Sequence, residues 1–210
     1  MNKVNYDLEM ENIIKNLEKK KEKSLLLHSC CGPCSSGCIE RLNEFFNITV
    51  FYYNPNLDIE EEFDRRAIEQ KRLIKEMNLS DEINVIVPKY NSKEYYDAIN
   101  GYEMTKEGGA RCTKCFELRL REAAKMASEG GFDYFTTTLS ISPYKNSTLL
   151  NTLGEKIAEE YSVNYLFSDF KKKNGYKRSI ELSKEYNMYR QDYCGCVFSK
   201  EEAEERRRDK

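Results

Sequence analysis

The reactive side chains of this sequence are its eight cysteines, and they fall into groups. Cys30, Cys31 and Cys34 share the segment Cys30-Cys31-Gly32-Pro33-Cys34, with Cys38 four residues further on; Cys112 and Cys115 form a C-x-x-C; Cys194 and Cys196 flank Gly195. Two residues between ligands let both sulfurs converge on one centre. Four thiolates, from the vicinal pair and the C-x-x-C, can close a tetrahedral metal site or hold a four-iron cluster. Neighbouring ligands such as Cys30 and Cys31 do not easily point at one small ion. A larger cluster accepts them more readily, so spacing ranks an iron–sulfur cluster above zinc, and zinc above a metal-free thiol enzyme. Cys34 is a candidate extra ligand. Cys38 lies on the face of Leu42 and reads as a small buried hydrophobe. Gly195 gives the backbone freedom for the Cys194 and Cys196 sulfurs to meet. A C-x-C disulfide is strained and readily reduced, which suits an electron relay, with a metal-ligand role as the close alternative. His28 is the only histidine. It reads first as a core residue and second as a partner of the metal site; triads built on histidine have little support.

These residues must be carried by regular elements. Short apolar runs at 24–30, 48–54, 84–87, 132–138 and 163–167 have strand character. Helical spacing recurs at 1–23, 35–46, 59–77, 95–100, 116–127, 147–161, 179–190 and 199–208. Strands alternating with helices predict an α/β fold: an open parallel sheet, Rossmann-like, with a helical C-terminal part. Open parallel sheets bind ligands beyond the carboxyl ends of their strands. The segment of Cys30 follows the first strand, Asn54-Pro55-Asn56 the second and residues 138–146 the fourth, so these three loops fall on one rim. The first loop has neither G-x-G-x-x-G nor G-x-x-x-x-G-K-[ST]; thiols stand where a phosphate-binding loop would be. The expected organisation is a charged N-terminal helix over 1–23, a cluster-binding α/β domain over 24–198 and a charged tail over 199–210.

Composition sets the frame. Charged residues make up 33% and hydrophobic ones 40%, which suits a soluble globular chain, and no run approaches the roughly 18 apolar residues of a membrane span. The N-terminus has no apolar signal-peptide core, so the expected location is cytoplasmic, where thiols stay reduced and many cysteines imply metal binding or redox chemistry. Residues 171–210 hold 12 basic against 8 acidic side chains. This locally basic segment could meet a polyanion, although a solvated helical surface explains it as well.

The succession HSCCGPCS, FYYNPNLDIEEEFDRR, RCTKCFELRL, TTTLSISPYKN and DFKKKNGYKRSIELSKEYNMYRQDYCGCVFS resembles the QueH family of epoxyqueuosine reductases, from about residue 25 to residue 199. The resemblance implies the last step of queuosine synthesis, reduction of epoxyqueuosine to queuosine at the tRNA wobble position. It implies a fold similar to the adenine-nucleotide alpha-hydrolase group and a [4Fe-4S] cluster, with a second metal ion, iron or zinc, close to it. By motif, Cys30, Cys31, Cys112 and Cys115 are the implied cluster ligands, and Cys194 and Cys196 a redox-active pair. Some members carry Asp where this chain has Cys34, so a second metal here would meet a soft thiolate. The partners implied are tRNA bearing epoxyqueuosine and an electron donor whose identity the sequence does not give. Tyr144, Asp169, Asp192 and Tyr193 are candidate acids for the departing oxygen. Lys171, Lys172, Lys173, Lys177 and Arg178 are candidate phosphate contacts, and Tyr52, Tyr53, Tyr144 and Tyr176 candidate base-stacking groups. Two other classes compete: a zinc-bearing tRNA-binding module without redox chemistry, and a cluster-free thiol–disulfide reductase.

Overall fold

A computed structural model describes residues 4–208. The first three residues of the predicted 1–23 helix and the last two of the 199–210 tail therefore lie outside the described residues. Five strands, β1 (Lys23–His28), β2 (Phe46–Phe51), β3 (Asn84–Ile86), β4 (Tyr134–Thr137) and β5 (Asn164–Tyr165), form one sheet in the order β3-β2-β1-β4-β5, and every neighbouring pair is parallel. The chain reverses its direction of travel across the sheet between β1 and β4. An open α/β sheet places its ligand crevice at that switch point, beyond the strand ends.

Among the described residues the helices are α1 (Tyr6–Lys15), α2 (Gly32–Leu42), α3 (Glu60–Glu76), α4 (Ser92–Ile99), α5 (Ala110–Glu129), α6 (Ser147–Tyr161), α7 (Gly175–Glu185) and α8 (Val197–Arg208). They cover both faces of the sheet. On one face Leu25, Leu27, Ile48 and Val50 of the strands meet Cys38, Ile39 and Leu42 of α2 and Met10 of α1. On the other, Leu26, Phe51 and Phe135 meet Phe116, Leu120, Ala123 and Ala127 of α5 and Leu150 and Ile157 of α6. Alternate strand residues pointing to opposite faces produce this division. β1 at the centre is apolar on both sides, with Leu25, Leu26 and Leu27 all fully buried.

Five helices begin earlier than their apolar spacing predicts, among them α4 at Ser92 instead of 95 and α8 at Val197 instead of 199. α2 starts at Gly32, right after the vicinal cysteines, with Pro33 in its first turn, where a missing N–H costs nothing. α5 starts at Ala110 instead of 116, so Cys112 and Cys115 are helical. α7 covers Gly175–Glu185 instead of 179–190, which leaves residues 187–193 as an irregular approach to Cys194. α6 spans its expected residues because Asn146 caps it: its Oδ1 accepts from the Thr148 and Leu149 amides. No described helix is long and apolar enough to cross a membrane.

Candidate metal–thiolate site

The site is built at the switch point. β1 ends at His28, and Ser29 and Cys30 continue over the rim. The Cys30 amide donates to Thr138 Oγ1 (3.3 Å), just beyond β4, which ties the two sides of the crevice together. Gln70 of α3 holds the turn into α2: its Oε1 accepts from Ser29 Oγ (2.7 Å) and Ser35 Oγ (2.8 Å). Asn54, after β2, donates from Nδ2 to the Ser29 carbonyl (3.0 Å). With its backbone pinned in this way, the loop brings the sulfurs of Cys30, Cys31 and Cys34 within 4.8 Å of one another, and Cys30 and Cys31 to 3.8 Å. These three thiols can hold a metal ion.

The other cysteines approach from two further helix starts. Cys112 and Cys115 lie in the first turns of α5, where Cys112 Sγ accepts from the Gly108 amide (3.2 Å). Cys196 immediately precedes α8, and its Sγ accepts from the Ser199 amide (3.4 Å), as an N-capping side chain does. Cys115 and Cys196 share an apolar cluster with Tyr95 and Ile99. At both helix starts a backbone amide thus donates to a cysteine sulfur. Of the expected ligands, the structure thus groups Cys30 and Cys31 with Cys34; Cys112 and Cys115 form a separate pair beside Cys196. Cys38 is fully buried in the core, and its Sγ donates to the Cys34 carbonyl (3.3 Å), as expected of a packing residue.

Charge within the triad is shared. Hydrogen bonds from Cys31 and then Cys34 hold the Cys30 thiol well below its ordinary pKa; the same bond pushes Cys31 up to about 12, and the bonds to Cys30 and Cys31 raise Cys34 as well. One negative charge thus settles at Cys30 and disfavours a second, until a cation joins the three sulfurs. Burial pushes Cys115 up to about 12 and also raises Cys112.

Two cations that the sequence reading did not single out face the sulfurs. Lys145, half-buried in the loop before α6, forms no ion pair with a carboxylate among the described residues. Burial works against its ammonium, but the Cys194, Cys30 and Cys34 sulfurs outweigh it and raise its pKa. Arg119, 1% exposed on α5, lies one helical turn after Cys115. Its Nε lies 3.3 Å from His28 Nε2 and its Nη2 donates to Asn54 Oδ1, while Nη1 is buried without a partner. Charged residues are ordinarily read as surface, which is why neither stood out; the signal available was Arg119 at i+4 from Cys115.

The profile of the epoxyqueuosine reductase QueH family matches residues 25–202. The chain belongs to that family. Epoxyqueuosine reductase QueH of Streptococcus pyogenes is 42% identical over 200 residues, covering 94% of this chain and 78% of the relative. That of Staphylococcus aureus is 42% identical over 202 residues (94% and 84%), and that of Thermotoga maritima 34% over 182 (84% and 90%). The match takes in all eight cysteines.

His28 is a satisfied core residue: Nδ1 lies 2.8 Å from Thr137 Oγ1 and Nε2 3.1 Å from the Tyr53 carbonyl. Burial, reinforced by Arg119, lowers its pKa to about 3, so it stays neutral. Among the candidate acids, Asp169 accepts from Lys171 Nζ (2.7 Å) and Ser147 Oγ (3.1 Å), and Asp192 pairs with Arg207. Tyr193 is half-buried with Arg66 over its ring (5.4 Å), and Tyr144 is 84% exposed. Of the stacking candidates, Tyr52 and Tyr53 are buried and Tyr176 is partly covered by Arg190 (5.7 Å), which leaves Tyr144 open. The basic segment is largely neutralised: Lys171 pairs with Asp169, Lys173 with Glu11, Lys177 with Glu181 and Arg178 with Glu40.

Proposed function

We propose that this chain reduces epoxyqueuosine to queuosine in tRNA, using a [4Fe-4S] cluster held by Cys30, Cys31, Cys112 and Cys115. Cys34 faces a second ion, and Cys194 and Cys196 act as a redox-active pair. The observation that carries the reading is the triad of sulfurs at the switch-point rim, with a buried arginine that has no carboxylate partner among the described residues. The donor set fits an anionic metal–thiolate centre, because the orphaned Arg119 Nη1 calls for negative charge on the sulfur side. The relatives' name supplies the substrate.

Removal of the epoxide oxygen consumes two electrons and two protons, releases water and leaves a carbon–carbon double bond. An iron–sulfur centre supplies electrons one at a time, ultimately from a donor outside the chain. Lys145 keeps a proton at Nζ beside the Cys30, Cys34 and Cys194 sulfurs, in place to meet the negative charge that develops on the departing oxygen. Tyr193 Oη is a second proton source on the approach to Cys194. Tyr144 offers an open ring face on which a neighbouring base can stack. Among the described residues Lys172 is the one cation of this segment without a carboxylate partner, and it is the one offered to a phosphate.

One observation favours a second reading, a zinc-bearing tRNA-binding module without redox chemistry. Zn–S bonds of about 2.3 Å in a tetrahedron place sulfurs about 3.8 Å apart, the spacing of Cys30 and Cys31. The test is anaerobic incubation of iron-reconstituted protein with reductant and tRNA bearing epoxyqueuosine. The expected product is queuosine, lost in Cys112→Ala and Cys115→Ala. Colourless protein with stoichiometric zinc and no turnover would establish the second reading.

A further inference from the structure

Three arginines are buried to 3% exposure or less: Arg66, Arg111 and Arg119. Arg66 pairs with Glu62 (2.7 Å) and Arg111 with Glu202 (2.9 Å). Arg119 has no carboxylate within ion-pair distance among the described residues. The groups around it are His28 from β1, Asn54 from the loop after β2, and the sulfurs of Cys115, Cys30 and Cys194. His28 is neutral and Asn54 uncharged, so sulfur is the one source of anionic charge on every side. A buried guanidinium without a counter-ion is strongly unfavourable, and an orphaned N–H adds to that cost.

We propose that Arg119 is the internal counter-charge of the thiolate centre and sets its reduction potential. The inference rests on the metal–thiolate reading. One-electron reduction adds a negative charge to the centre while the guanidinium keeps its proton, so a fixed cation nearby stabilises the reduced form more than the oxidised one. His28 and Asn54 then act as a frame that aims the guanidinium at sulfur. Arg119 is a positioning residue in this role: it acts on the substrate only through the centre's potential.

The experiment compares wild type, Arg119→Lys and Arg119→Met as anaerobically reconstituted full-length proteins of equal iron and sulfide content. Each is titrated with dithionite and mediators and followed by electron paramagnetic resonance. Reduction of Arg119→Met is expected to weaken at least tenfold, a fall of about 59 mV for a one-electron couple, with Arg119→Lys recovering most of the loss. A midpoint equal to wild type in Arg119→Met would overturn the proposal. Should Arg119→Met fail to retain the cluster, Arg119→Lys and Arg119→Gln are compared in its place: the charged variant should keep a midpoint near wild type and the neutral one should fall, and equal midpoints in the two would overturn the proposal. Wild type containing no iron or sulfide would remove the cluster reading and this inference with it.

Discussion

Replacing Gly195 by alanine should damage the protein through two separable effects. Gly195 sits between Cys194 and Cys196 at φ +124, a backbone conformation that side-chain-bearing residues rarely adopt and that costs about 1–3 kcal/mol. A Cβ there would also lie 2.4 Å from Leu57 Cδ2 and 3.1 Å from Arg66 Nη1. Leu57 is 1% exposed and packed with Tyr52, Phe63 and Ala67, so it has little room to withdraw; overpacking of this kind costs about 1–3 kcal/mol. The residue cannot simply swing away, because its carbonyl accepts from the Asp58 amide (3.2 Å) and its amide donates to Ser199 Oγ (3.2 Å). Together the effects predict a loss of about 2–6 kcal/mol, a large share of a domain's usual stability. Urea unfolding of the reduced, metal-free protein measures it. The double variant Leu57→Ala/Gly195→Ala should be more stable than the sum of the single effects by about 1–3 kcal/mol, since the alanine then enters vacated space. A loss below about 0.5 kcal/mol in Gly195→Ala, or strict additivity in the cycle, would refute this account of the Cys-Gly-Cys turn.

Three further outcomes follow from the same geometry. Glu202→Gln should destabilise by about 2–3 kcal/mol, discounted for the partial exposure of Glu202, because it breaks the clamp by which Arg111 of α5 (2.9 Å) and the Glu107 amide (3.1 Å) hold α8; alkylation of Cys194 and Cys196 should quicken in step. In metal-free protein the His28 pKa, lowered from 6.5 to about 3, makes the unfolded state bind a proton that the folded state refuses. Stability should therefore fall as pH drops from about 6.5 toward 3, by up to about 1.4 kcal/mol per pH unit, and His28→Gln should flatten that slope between pH 6.5 and 5 in urea melts. Lys145→Gln should lower kcat for epoxyqueuosine reduction roughly 10- to 1000-fold at unchanged iron content, as measured by single-turnover assay.

Much of the frame was legible in the sequence because strands and helices alternate and carry their own signals. α6 matched its expected residues, since Asn146 and the apolar spacing of Leu150, Leu153 and Ile157 agree. The three site loops fell on one rim for a topological reason that holds before any chemistry is known. What escaped was local: Arg111, Cys112 and Thr113 give no strong start signal, so the expected helix begins only at 116, past its C-x-x-C. β5 is two residues long instead of five: just past it the Leu166 carbonyl accepts from Thr136 Oγ1 (2.8 Å), and Ser168 then bonds Asn151 of α6, its amide donating to Oδ1 (2.9 Å) and its carbonyl accepting from Nδ2 (2.8 Å). The charges that matter were the least legible. The cluster of lysines on display at 171–178 is largely paired with carboxylates, whereas the cations facing sulfur, Arg119 and Lys145, are single residues in unremarkable stretches.

The central claim is that the thiols at the switch point hold iron and use it to remove one oxygen from a modified tRNA base. The most direct measurement is mass spectrometry of nucleosides digested from epoxyqueuosine-bearing tRNA after one anaerobic turnover with protein of known iron and sulfide content. The account predicts that epoxyqueuosine disappears and a nucleoside one oxygen lighter appears in proportion to the loaded cluster. Epoxyqueuosine left intact by fully loaded, reduced protein, or converted equally well by protein free of iron, would contradict it.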